Sequence, residues 1–134
     1  MSGDAALRDL NKSELEVMRV LWEQGPCKPA EIQAAFGWEI ENATLRSTLR
    51  VLMEKGVVSR RKQGKAFFYR ARASREGVLS RTAQMMARVF TGGSTAGLLA
   101  QLIKTEKLSA EEIKLLRQVA DERSPATPKK GALK

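Results

Sequence analysis

The side chains best able to do chemistry in this sequence are cations crowded into one stretch, TLRSTLRVLMEKGVVSRRKQGKAFFYRA, residues 44–71. Arg46 and Arg50 are four residues apart, which puts them on one helix face, where like charges repel. That cost is better justified if an anion lies against them. A guanidinium can donate two parallel hydrogen bonds to a guanine edge or pair with a phosphate, and Arg46 is open to both readings. Thr44 and Ser47 offer short hydroxyls on this helix, Ala43 offers a methyl that could touch thymine, and Asn42 stands at its start. Arg50, one turn on, suits flanking phosphates, although Glu54 four residues later is also an ordinary salt-bridge partner for it. Further along, Arg60, Lys62 and Lys65 crowd a turn expected at Gln63-Gly64. Strand alternation sends Arg60 and Lys62 to one side and Arg61 to the other. Gly64 and Lys65 then belong to the tip, the part of such a hairpin that meets a minor groove or a phosphate backbone.

The positive charge is local. The 134 residues carry 24 Lys and Arg against 15 Asp and Glu, a net charge of +9. Residues 1–40 have a net charge of −3, residues 41–72 of +7 and residues 73–134 of +5. Concentration in one structural unit is the electrostatic footprint of a nucleic-acid binder. Other chemistries lose their reagents. With no histidine, imidazole acid–base catalysis and His-ligated metal sites are both excluded. The one cysteine, Cys27, cannot form an internal disulfide and reads as a small apolar filler. Lys65 lacks the upstream glycines of a phosphate-binding loop. No catalytic residue, cofactor or metal is expected, and the absence of any membrane-length apolar run fits a cytoplasmic protein.

These cations need elements to hold them. NKSELEVMRVLWEQGP reads as a helix, with Asn11 and Glu14 as a capping box, Gly25-Pro26 as its stop, and Leu15, Met18, Leu21 and Trp22 facing inward. KPAEIQAAFG is a shorter helix with Pro29 in its first turn and Ile32, Ala35 and Phe36 inward. A third helix over about 43–55, capped by Asn42 or Thr44, buries Leu45, Leu49 and Leu52 and ends at Gly56. VVSRRK and AFFYRA are rich in β-formers and read as a hairpin, with the Phe67/Tyr69 side closing onto the core and Phe68 on the other. Three helices followed by a hairpin form a winged helix-turn-helix. The fold expected is mainly α with one small β-hairpin. The expected organisation is a flexible lead-in over residues 1–10, a winged-helix DNA-binding domain over 11–72, a helical dimerisation region over 73–122 and a disordered basic tail over 123–134.

The C-terminal helices carry apolar seams with nothing in the chain obvious to cover them. Val78, Leu79, Met85, Met86, Val89 and Phe90 fall on the first. Leu98, Leu99 and Leu102 follow on the second, and Ile113 and Leu116 on the third, which opens with a Ser109/Glu112 capping box. Such helices are too short and too few to enclose a core alone, so a second copy of the chain is the economical partner.

Four segments together, SELEVMRVLWEQG (13–25), TLRSTLRVLMEKGVVSRRKQGKAFFY (44–69), VFTGGS (89–94) and KLSAEEIKLL (107–116), resemble the penicillinase-repressor family of bacterial winged-helix regulators, the BlaI/MecI/CopY type. The resemblance runs from about Leu10 to Val119. It implies a homodimeric repressor that binds palindromic operators in double-stranded DNA. By position, Thr44, Arg46 and Ser47 match the recognition-helix contacts, and the basic hairpin matches the wing. In β-lactam-responsive members a regulatory protease cuts before a phenylalanine, typically after asparagine; the matching bond here is Val89–Phe90. Copper-responsive members carry a C-terminal cysteine cluster, which this chain lacks. The reading opposed to all of this is a winged-helix adaptor that docks an acidic protein without DNA specificity.

Overall fold

The computed structural model describes residues 9–123, so most of the expected lead-in and nearly all of the basic tail lie outside the described residues. The described chain divides into two compact units at Thr95/Ala96.

The first unit opens with α1, Lys12–Gln24. Asn11 Oδ1 accepts from the Glu14 amide and Glu14 Oε1 from the Asn11 amide, each at 2.8 Å, closing the expected capping box. Gly25 ends the helix at φ 78°, a conformation that glycine adopts without a Cβ penalty. The buried face of α1 is wider than the expected stripe. Val17 and Val20 join Met18 and Leu21 in the core, while Leu15 and Trp22 are half-buried. The cause is that α1 packs against both α3 (Asn42–Glu54) and the hairpin's second strand. Trp22 sits at the rim, where its indole N–H donates to the Ala73 carbonyl at 2.9 Å.

Glu14 is 4 % exposed and also accepts from Lys55 Nζ at 2.9 Å. The start of α1 is thereby tied to the end of α3. Asn11→Ala removes one side of this box and is expected to cost about 1 kcal/mol of unfolding free energy in a urea titration, the usual worth of an N-cap.

The short helix α2, Pro29–Ala35, buries Ile32 and leads into the turn before α3. Glu16 of α1 holds that turn. Its Oε2 accepts from the Gly37 amide at 2.7 Å and from Arg19 at 2.6 Å, and Arg19 also donates to the Ala35 carbonyl. The Arg19 guanidinium, helped by the Gly37 amide, keeps the Glu16 carboxyl below its ordinary pKa although partial burial opposes it.

β1, Val58–Gln63, pairs antiparallel with β2, Ala66–Ala71, in the register Arg60↔Tyr69, Arg61↔Phe68 and Lys62↔Phe67. Gln63 pairs with Ala66, so the two turn residues are Gly64 and Lys65 rather than the expected Gln63 and Gly64. Gly64 at φ 63° supplies the left-handed first position of a tight hairpin turn. Cys27, between α1 and α2, pairs with Tyr69 from the other edge, through N–H···O bonds of 2.9 and 2.8 Å in the two directions. This one-residue strand fastens the wing to the α1–α2 connection. The Cys27 thiol is buried and donates to the Gly25 carbonyl, and burial pushes its pKa up, the behaviour of a filler rather than a nucleophile. α4, Arg75–Thr91, starts at Ser74, whose Oγ accepts from the Gly77 amide at 2.9 Å, and stops at Gly92. Val78 is 2 % exposed and lies in the core of this unit, whereas Leu79, Val89 and Phe90 are exposed and Met85 and Met86 half-buried.

The second unit contains α6, Ala110–Arg123, preceded by most of α5, Thr95–Thr105. Ser109 and Glu112 close the expected capping box. Leu98 is buried and Ile113 half-buried. Leu99, Leu102, Ile103, Leu115, Leu116 and Val119 are exposed.

Candidate nucleic-acid interface

α3 has two faces of opposite character. Leu45, Leu49 and Leu52 are at most 1 % exposed and anchor the helix. Asn42, Ala43, Thr44, Arg46, Ser47 and Arg50 are all exposed. The helix begins one residue earlier than expected, with Glu41 at the N-cap and no side-chain capping bond. Asn42 and Thr44 are therefore not caps. Asn42 stands inside the first turn, and its Oδ1 accepts from Arg46 Nε at 2.9 Å. The neighbour one turn before Arg46 is thus a brace for its guanidinium, whose terminal amines remain as donors. Ser47 and Thr48 turn their hydroxyls back onto the Thr44 carbonyl at 3.0 and 2.8 Å, so both still have acceptor lone pairs to offer. Arg50 and Glu54 do not form the ion pair that their spacing allows; the ion pairs among the described residues lie elsewhere.

In the wing, Phe67 is half-buried against the core and Tyr69 is 4 % exposed, as the alternation predicts. Arg60 shares their face and is drawn onto them. Its guanidinium carbon lies 4.0 Å from the Phe67 ring centroid, and its Nη1 donates to the Tyr69 hydroxyl at 3.1 Å. Lys62 Nζ is 6.0 Å from the same Phe67 ring. Gly64 and Lys65 are exposed at the turn.

The elements meet at a cleft of about 310 Å³ lined by Lys28, Pro29, Ala30, Arg46, Lys65, Ala66, Phe67 and Tyr69. Arg46 and Lys65 are brought together there, while Arg50, Arg60, Lys62 and Gly64 do not line it. Lys28 escapes sequence reasoning because its position depends on the Cys27–Tyr69 bridge, a single pairing without periodicity. Among the described residues no cluster of histidine, cysteine or carboxylate side chains could hold a metal ion, and no helix is long and apolar enough to cross a membrane.

The family model described as penicillinase repressor matches residues 10–122 of this chain. A penicillinase repressor of Staphylococcus aureus is 24 % identical over 116 residues, spanning 85 % of this chain and 92 % of its own length. The methicillin resistance regulatory protein MecI of Staphylococcus aureus is 26 % identical over 120 residues, spanning 86 % and 95 %. Among solved structures, a probable transcriptional regulator from Pseudomonas aeruginosa aligns over 89 % of this chain and 86 % of that one, with a TM-score of 0.46 and 20 % identity.

Proposed function

The chain belongs to the penicillinase repressor family, and from that premise we propose that it is a homodimeric, sequence-specific repressor that binds palindromic operator DNA. The family consists of transcriptional repressors, which are not enzymes. The observation that carries the proposal is the two-faced α3. Three leucines lock one side into the core, so the exposed row from Asn42 to Arg50 is presented rigidly beside a basic wing. A helix so presented fits a major groove, with its N-terminal residues nearest the base edges. In this reading Thr44, Arg46 and Ser47 read sequence. Arg50, Arg60, Lys62, Gly64 and Lys65 add contacts along the backbone. The exposed apolar residues of α4, α5 and α6 join two copies.

Val89 and Phe90 are 58 % and 69 % exposed in the last turn of α4. Both side chains belong to the proposed dimer surface. A regulatory protease would act at their bond only after that turn unwinds, because cleavage needs an extended backbone.

The experiment is a gel shift on the DNA upstream of the gene, with excess non-specific competitor; no preference for any palindromic element would sink the proposal. Arg46→Ala is expected to weaken operator binding by about 1–3 kcal/mol and to relax selectivity at one base position. A uniform loss across all sequences would instead make Arg46 a clamp and leave reading to its neighbours.

A further inference from the structure

We propose that the cleft between α2, α3 and the wing is a seat for one DNA backbone phosphate, held jointly by Lys28 and Lys65; this rests on the repressor reading above. The lining brings two lysines from separate elements to one hollow, Lys28 from the α1–α2 connection and Lys65 from the wing turn, with Arg46, the base reader of the repressor reading, at its α3 side. None of the lining residues is acidic. Glu31 Oε1 accepts from the Lys28 backbone amide at 2.8 Å, while the Lys28 ammonium makes no ion pair and lies 6.0 Å from the Phe68 ring centroid. Among the described residues the Lys65 ammonium makes no ion pair either, so an incoming anion competes with no carboxylate for either lysine, and Lys28 has only the Phe68 ring to leave.

Tyr69 gives the seat a directed donor. Its hydroxyl oxygen accepts from Arg60 Nη1 at 3.1 Å, and Arg60 is itself fixed by stacking at 4.0 Å on Phe67. A phenol whose oxygen already accepts from a guanidinium has its own proton to give and is a stronger donor for it. Arg60, counted above among the wing's backbone contacts, acts at this seat through Tyr69 as a positioning residue. The frame is rigid where it matters: the Cys27–Tyr69 bridge places Lys28 one residue from β2, and the tight Gly64-Lys65 turn fixes Lys65. A tetrahedral oxyanion with several acceptor oxygens suits such convergent donors. The flat edge of a base does not need them, so the seat sets register and affinity while α3 sets sequence preference.

The test is the salt dependence of duplex binding by the full chain, using Lys28→Ala, Lys65→Ala and the double variant. Each neutralised phosphate contributes about 0.9 to the slope of log K against log salt on duplex DNA. If the two lysines share one phosphate, each single variant retains most of the slope, because the other cation remains, and the double variant loses about 0.9 in total. Affinity should fall by the same factor on operator and random duplex. Single losses of about 0.9 each that sum to about 1.8 in the double variant would assign the lysines to separate phosphates and overturn the seat. So would an unchanged slope in all three variants. If the wild-type chain does not bind duplex DNA at all, the repressor reading falls and the seat with it, an outcome visible before any variant is made. Both lysines are exposed, so unfolding does not confound the comparison, and circular dichroism of each variant checks this.

Discussion

Leu49→Ala is expected to destabilise the DNA-binding domain by about 2–5 kcal/mol, the range for emptying a leucine-sized space in a packed core. Leu49 is 1 % exposed, between Leu45 and Leu52 on the buried side of α3, and the same cluster holds Met18, Ile32 and Val57. Little of the surroundings can relax into the vacancy, because α3 is tied at its far end by the Lys55–Glu14 ion pair. Against a total of about 5–15 kcal/mol for a natural domain, such a loss is a large fraction. It should lower the melting temperature by roughly 10 °C or more, at about 4–8 °C per kcal/mol for a domain of this size. Arg50→Ala, on the exposed side of the same helix, should stay within about 0.5 kcal/mol of the parent while weakening DNA binding. Chemical denaturation of the two variants side by side is the measurement. A loss below about 1 kcal/mol for Leu49→Ala would mean that α3 is not held by its leucines, and the rigid presentation inferred for its outer face would go with it.

The parts of the fold that follow from short-range rules could be read before any coordinates. The Asn11/Glu14 box, the Gly25 stop, the leucine spacing of α3 and the β-rich runs around Gly64 each depend on a few neighbouring residues, and each stands where the pattern puts it. What escaped depends on competition or on distance. Asn42 is a good N-cap by type, but its side chain has an alternative acceptor role with Arg46 one turn on, and Glu41 takes the N-cap position instead. Periodicity marks an apolar stripe on α4 without saying what covers it: Val78 goes into the domain core and Leu79 into solvent. The Cys27–Tyr69 bridge joins residues far apart in sequence through a single pair, so no alternation announces it. Lys28 and the shared cleft follow from that bridge, which is why the basic helix-hairpin stretch is legible as a candidate surface and the cleft within it is not.

Placing charge on the exposed seam of α5, with Leu99→Glu and Leu102→Glu together, is expected to convert a dimer into monomers and to weaken binding to a two-half-site operator by about 10²–10⁴-fold. Leu99 and Leu102 are 56 % and 41 % exposed in the single chain, so the substitutions remove little packing within it. Their cost falls on a surface that only a second copy would bury, where two uncompensated carboxylates per chain must lose water. Joining two DNA-binding domains makes the second half-site contact intramolecular, and that advantage disappears when the copies separate. Affinity for an isolated half-site should be almost unchanged, since the α3 face and the wing are untouched. The unpaired helices should also lose helicity, because helices as short as α5 and α6 are marginal in water without a packed face. Sedimentation equilibrium of parent and variant, followed by titration of one- and two-half-site duplexes, separates the possibilities. A parent that is already monomeric would refute the seam as a dimer surface. A variant that stays dimeric would move the interface to another face. A variant that becomes monomeric yet binds the full operator undiminished would show that two copies occupy the DNA without helping one another.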